Sequence, residues 1–200
     1  DEELKVAVDL VCKAGARIND AWDTRKKVEL KDGAVDPVTD TDTANEHLIT
    51  QALRQRFPGH DIIGEETSSS TGIRPTKLRD VPTWIIDPVD GTSNFVHSFP
   101  FTCVSIGLCV QGRPVVGAVF NPRTGELFCS QKGRGAFLDG QKIRTSSCTR
   151  LQDALAIQEY GYPRSEDALR RIHEASIQVL AAGLQGVRQM GSGVLAMCFV

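Results

Sequence analysis

The chain has no apolar run long enough to cross a membrane. Its strongest stretches, Val104 to Val110 and Val194 to Val200, fall well short of the ~20 residues that a spanning helix needs. It has no excess of either charge: 23 Lys and Arg stand against 25 Asp and Glu, a formal net charge of −2. That balance excludes the electrostatic footprint of a nucleic-acid binder or of a protein drawn to an acidic membrane. Its six cysteines, Cys12, Cys103, Cys109, Cys129, Cys148 and Cys198, include no C-x-x-C pair and have no histidine cluster beside them. Most lie in apolar runs, so they read as reduced, buried thiols rather than a disulfide framework, and the expected compartment is the cytoplasm. The first residues, Asp1, Glu2 and Glu3, are acidic where a secretory leader is basic, so no leader is expected. Position 1 is not Met, which points to a trimmed chain.

What is present is an ordinary globular composition, 40% hydrophobic and 24% charged in 200 residues. Disorder and fibrous structure are excluded, and a chain of this size buries roughly 70% of its unfolded surface without staples. Leu4, Val8, Val11, Gly15, Ile18 and Trp22 recur at helical spacing and predict a helix over 3–22. Residues 23–38 read as a polar loop or hairpin. A second helix is predicted over 42–56, opened by a capping box at Thr43 and Glu46 and closed by Pro58-Gly59. Strands are predicted at 61–63, 83–87, 102–110, 114–120, 126–130, 155–158 and 187–190, the third showing strict alternation. Helices are expected over 165–182 and from Ser192, and Thr67 to Thr71 reads as a mobile loop. Helices first, then strands, then helix and strand again predict an α+β fold, a layered α/β/α sandwich with mixed, largely antiparallel sheets. Residues 1–200 are expected to form a single domain.

The chemistry concentrates in Trp84-Ile-Ile-Asp-Pro-Val-Asp-Gly-Thr-Ser-Asn-Phe95. An apolar strand delivers Asp87, Pro88 stops the ladder, Asp90 follows, and Gly91 turns the chain into a helix start. Two carboxylates at a strand end beside helix N–H groups suit a hard cation next to a phosphate. An Asp-Gly turn with an N-cap is the plainer reading of Asp90-Gly91 taken alone. Two further acidic segments tip the balance: Gly64-Glu65-Glu66 after a short strand, and Asp36-Pro-Val-Thr-Asp-Thr-Asp42 at a helix start. Each alone reads as solvated surface or as helix capping. Three acidic element ends in one chain argue for a site with several metal ions.

Asp87-Pro-Val-Asp-Gly-Thr-Ser-Asn-Phe95, followed by Pro100, resembles the signature of the inositol monophosphatase family. Ile63-Gly-Glu-Glu66, Val38-Thr-x-x-Asp42, Gly133-x-Gly-Ala-Phe137 and Gly186-Val-Arg-x-x-Gly191 resemble its other segments, so the likeness spans the whole chain. The resemblance implies that Glu65, Asp87, Asp90 and the Val89 carbonyl ligate Mg²⁺, two or three ions in all. It implies that Glu65 and Thr92 orient and deprotonate the attacking water, and that Asp42 supports a further, weaker metal through water. It further implies that Lys31 belongs to a loop closing over the site. Val89, Asp90, Gly91 and Thr92 would meet the phosphate, and Gly191, Ser192 and Gly193 the ring hydroxyls of a cyclitol. Lithium sensitivity and a homodimer are implied as well. The family also has a later Trp-Asp-x-Ala-Ala-Gly segment whose Asp completes a second metal site, and this sequence contains no such pattern. The expectation is therefore a domain cropped at its C-terminal end.

The expected reaction is hydrolysis of a phosphate monoester of a cyclitol or sugar by metal-activated water, with no histidine or cysteine nucleophile. His47, His60 and His173 are expected to be exposed, and His97 lies near the signature without an assigned role. Two alternatives remain open at this level. One is a related phosphatase acting on a 3′-phosphoadenosine nucleotide or a sugar bisphosphate. The other is a fragment that only binds metal and phosphate.

Overall fold

The computed structural model describes residues 2–31, 36–73 and 77–200. Helix α1 (Glu2–Asp20) opens with Glu2 and Glu3, which complement the positive end of the helix dipole, and buries Ala7, Leu10, Val11, Ala14 and Ile18. Strands β1 (Val28–Leu30) and β2 (Pro37–Thr39) pair antiparallel, so the polar stretch is a hairpin; its predicted turn around Gly33 lies outside the described residues. Helix α2 (Asp40–Arg56) follows directly.

Seven strands then form one sheet in the order β3-β4-β5-β6-β7-β8-β9: β3 (Asp61–Gly64), β4 (Thr83–Asp90), β5 (Cys103–Val110), β6 (Arg113–Phe120), β7 (Leu127–Gln131), β8 (Gly135–Leu138) and β9 (Gln141–Ile143). The pair β3–β4 is parallel and the rest are antiparallel. Between β3 and β4 lies helix α3 (Glu65–Thr71), and after β4 the short helix α4 (Thr92–Val96). A second, two-stranded parallel sheet joins β10 (Leu155–Ile157) to β11 (Gly186–Arg188) across helix α5 (Glu166–Ala181), and α6 (Gly193–Cys198) ends the description.

Period-two alternation divides the large sheet between two cores. Trp84, Ile86, Val104, Ile106, Leu108, Val116 and Ala118 face α1 and α2 in the main core. Cys103 and Phe128 turn to the other side, where Leu195 of α6 covers them with Phe101, Val119 and Leu138 packed around. Helices on both faces of a largely antiparallel sheet make the layered α+β architecture that the element order predicts.

Several local expectations are corrected. Thr67 to Thr71 is helical, because Glu46 caps the first turn of α3. The predicted capping box at Thr43 and Glu46 is replaced by one at Thr39 and Asp42, which starts α2 at Asp40. Pro88 does not end its strand: the ladder shifts register between Asp87 and Asp90 and resumes at Asp90 opposite Cys103. All six cysteines are free, but Cys148 is exposed. His60 is half-buried, stacked on Phe57 with ring centroids 5.1 Å apart, rather than exposed.

Candidate active site

The irregular end of β4 is braced from several directions. Gly91 sits at φ +85°, a conformation that side chains rarely adopt, and a Cβ there would meet the Phe101 carbonyl at 3.0 Å. Glycine is therefore required for the turn into α4. Asn94 donates its amide to the carbonyls of Phe101 and Met190, at 2.8 and 2.6 Å, pinning α4 to the segment before α6. Thr102 Oγ1 donates to the Asp90 carbonyl at 2.8 Å. Buried Phe95 packs on Trp22, and the Lys26 ammonium lies 4.7 Å over the Phe95 ring.

Around this turn the fold gathers acids from three elements. Glu65, the first residue of α3, stands near enough to Asp87 on β4 for its charge to act on that carboxyl. Burial raises the Asp87 carboxyl well above the usual carboxylate range, and the charges of Glu65 and Asp90 push it further. The Lys31 ammonium bridges Glu65 and Glu66, 2.8 Å from each. Burial alone would lower this lysine, but those two carboxylates carry it above its usual range. Burial lifts Glu66 to about 7 against the pull of Lys31. Asp42 is fully buried; desolvation lifts it to about 6 against hydrogen bonds from Thr39 and Thr92.

Thr92 links Asp42 to the turn. Its hydroxyl lies 2.8 Å from the Val89 carbonyl and 3.0 Å from Asp42 Oδ1. The described hydrogen bonds of Thr92 thus run to Asp42 and Val89 rather than to Glu65, its expected companion. Asp90 has a second job that the sequence did not reveal. Its Oδ2 accepts the Ser192 hydroxyl at 2.6 Å and the Val194 amide at 2.8 Å, capping the start of α6. Burial raises the Asp90 carboxyl and these two donors oppose the rise. Gly191, Ser192 and Gly193 do stand beside Asp90. The Ser192 hydroxyl is committed to Asp90 and to the Leu195 amide, and the Gly191 amide donates to Glu159 at 3.2 Å.

The donor set fits a divalent cation. Burial and the neighbouring charges of Glu65 and Asp90 all disfavour a lone negative charge on Asp87, and a cation among these carboxylates relieves that repulsion. Acids outnumber the bases that the described contacts place among them, and carboxylate oxygens with a main-chain carbonyl are what a hard cation takes. Among the described residues no three His, Cys, Asp or Glu side chains already stand as a metal cage.

Sequence reasoning named Glu66 only within its acidic segment, and missed its ion pair with Lys31, the site roles of Glu46 and Asn94, and the anchoring role of Ser192. Glu46 could have been found, because Asp42, Asn45 and Glu46 at helical spacing put three polar groups on one face of α2. A cleft of about 880 Å³ between α2, α3 and the β1 hairpin shares Lys31, Glu46 and Glu66 with this region. Asp87 and Asp90 do not line it.

Residues 1–200 match the inositol monophosphatase family. The chain belongs to that family. It is similar to inositol monophosphatase 3 of Solanum lycopersicum, 45% identical over 200 residues, covering all of this chain and 73% of the relative. Inositol monophosphatase 2 of Mus musculus is 41% identical over 200 residues, covering 100% of this chain and 68% of its own length. Among solved structures, the extragenic suppressor protein suhB from Bartonella henselae superposes with a TM-score of 0.85 at 28% identity, covering all of this chain and 74% of that one. Membership in the inositol monophosphatase family makes the protein a phosphoric monoester hydrolase. Among the described residues no helix is long and apolar enough to cross a membrane.

Proposed function

We propose that the protein hydrolyses an inositol monophosphate to inositol and phosphate with Mg²⁺ as its cofactor. The observation that carries this reading is the gathering of Glu65 at the start of α3 with Asp87 and Asp90 at the end of β4, beside the Gly91 turn, in a chain of this family. Glu65, Asp87, Asp90 and the Val89 carbonyl would hold two or three Mg²⁺ ions. When bound, the metal lowers the pKa of water and neutralises charge on the phosphoryl oxygens.

The chain's own groups do the rest. Thr92 places its hydroxyl oxygen between Val89 and Asp42, and a single hydroxyl proton cannot serve both acceptors fully. That leaves Thr92 able to pass its hydrogen bond between the two and to accept one from the attacking water. Asp42, buried and held by Thr39, fixes the direction of the Thr92 hydroxyl. Glu65 takes the proton that water gives up, and the Lys31 ammonium, 2.8 Å from it, holds its carboxylate in place. The Gly91 and Thr92 amides, at the N-terminus of α4, face the phosphate. Gly191, Ser192 and Gly193 present main chain to the ring hydroxyls.

Cys103 is the nearest thiol, with Sγ 3.8 Å from Asp90, but burial and the Asp90 charge keep it protonated. A protonated thiol is a poor nucleophile, which supports direct attack by water with inversion at phosphorus and no phospho-enzyme. Inhibition by Li⁺, a cytoplasmic location, a homodimer and a single domain over residues 1–200 complete the proposal.

A substrate panel tests it. Phosphate release from inositol 1-phosphate should exceed release from a 3′-phosphoadenosine nucleotide and from a sugar bisphosphate, and should cease in EDTA. Preference for the nucleotide or the bisphosphate would move the protein to another branch of the superfamily. Undiminished release in EDTA would remove the metal from the reading.

A further inference from the structure

Helix α2 carries Asp42, Asn45 and Glu46 on one face, all buried, with Glu46 only 5% exposed. Each reaches a different segment of the site. Asp42 accepts from Thr92, and Asn45 Nδ2 reaches the Ala14 and Pro88 carbonyls at 3.1 and 3.4 Å. Glu46 accepts the Glu66 amide at 2.7 Å, the Thr67 amide at 2.9 Å and the Thr67 hydroxyl. These amides are among the donors that the first turn of any helix leaves without partners. Gly64, buried and ahead of α3, makes room: a methyl group on it would overlap the Glu46 carboxylate.

Helix α3 has seven residues and buries none of them fully, so it cannot hold itself together. Its first residue is Glu65, whose carboxylate meets the Lys31 ammonium at 2.8 Å and whose charge acts on Asp87. Without a partner for its leading amides, α3 would fray from the end that carries Glu65. We infer that Glu46 is a positioning residue for the hydrolysis: by clamping the start of α3 against Gly64, it aims the Glu65 carboxylate at Asp87. This rests on the reading of Glu65 as a metal-binding acid. Groups that orient a metal ligand from behind are worth about 10–100-fold in affinity or activity when removed.

The test uses Glu46→Gln, which keeps the side-chain shape but sets an NH₂ group against one of the amides. At a temperature far below melting, metal-stripped protein is titrated with Mg²⁺ by calorimetry, and phosphate release from inositol 1-phosphate is followed. Amide hydrogen exchange is measured at Glu66 and Thr67. The expected result is Mg²⁺ affinity and kcat each about tenfold lower, KM within about twofold, and both amides exchanging faster. Gly64→Ala, whose methyl displaces the same carboxylate, should reproduce this pattern. Combining it with Glu46→Ala should cost no more than Glu46→Ala alone, because the clash is then gone. Faster exchange with Mg²⁺ affinity and kcat unchanged would make Glu46 merely structural and overturn the inference. Wild-type protein that binds no Mg²⁺ would overturn instead the reading of Glu65 on which it rests.

Discussion

Replacing Asp90 separates its two roles, because one oxygen caps α6 and the other is available to the acid cluster. In Asp90→Ala the buried Ser192 hydroxyl and the Val194 amide both lose their acceptor, previously 2.6 and 2.8 Å away. Stranding a buried donor costs about 1–3 kcal/mol, and the Ser192 hydroxyl keeps its contacts with the Leu195 amide and Cys103 Sγ, so a total of about 2–4 kcal/mol is expected. For a chain of this size, that lowers the melting temperature by roughly 10 °C. Asp90→Asn behaves differently. Its amide oxygen can still accept from Ser192 and Val194, and asparagine caps a helix about as well as aspartate. It also removes a charge that burial and Glu65 disfavour. Melting of Asp90→Asn in EDTA should therefore stay within a few degrees of wild type, while phosphate release falls at least about a hundredfold through loss of a cation ligand. The assay pairs melting in EDTA with turnover of inositol 1-phosphate in Mg²⁺. If Asp90→Asn melts as low as Asp90→Ala, the capping argument is wrong. If it turns over near the wild-type rate, Asp90 is not a ligand.

Thr92→Val keeps the shape of the turn but removes the hydroxyl between Val89 and Asp42; kcat should drop about a hundredfold with KM little changed, as steady-state kinetics would show. Gly91→Ala forces a side chain into φ +85° and towards the Phe101 carbonyl, so chemical denaturation should report a loss of about 1–3 kcal/mol. Asn94→Ala frees the Phe101 and Met190 carbonyls, and an accompanying loosening of residues 190–194 should appear as faster hydrogen exchange there. Li⁺ should inhibit the Mg²⁺-supported reaction, and a titration with no effect up to high millimolar Li⁺ would count against that part of the reading.

Much of this fold follows from local pattern. The alternation of Val104, Ile106 and Leu108 with Cys103, Ser105 and Gly107 places β5 between two cores, as the structure has it. The helices at the two ends follow from apolar spacing, within a residue or two of their predicted ends. What was not legible depends on partners distant in sequence. The polar run Thr67 to Thr71 has no apolar face to mark it as a helix; it becomes one because Glu46, some twenty positions earlier, satisfies its leading amides. Strands β8 and β9 are short and glycine-flanked, and β8 is held by register with β7, and β9 by register with β8, rather than by their own pattern. In the candidate site the acids of the signature stood out because carboxylates at element ends carry a recognisable chemistry. The bond from Asp90 to Ser192 and Val194 spans about a hundred residues, and no local signal announces it.

The central claim is that the Glu65–Asp87 pair binds the cation on which hydrolysis depends. It is tested most directly by titrating metal-stripped protein with Mg²⁺ while following phosphate release from inositol 1-phosphate in the same samples, for wild type and for Asp87→Asn. Wild type should bind Mg²⁺, with release rising as binding saturates, and Asp87→Asn should show neither at the same concentrations. Equal binding and equal release in Asp87→Asn, or full release by wild type before any Mg²⁺ is added, would contradict the account.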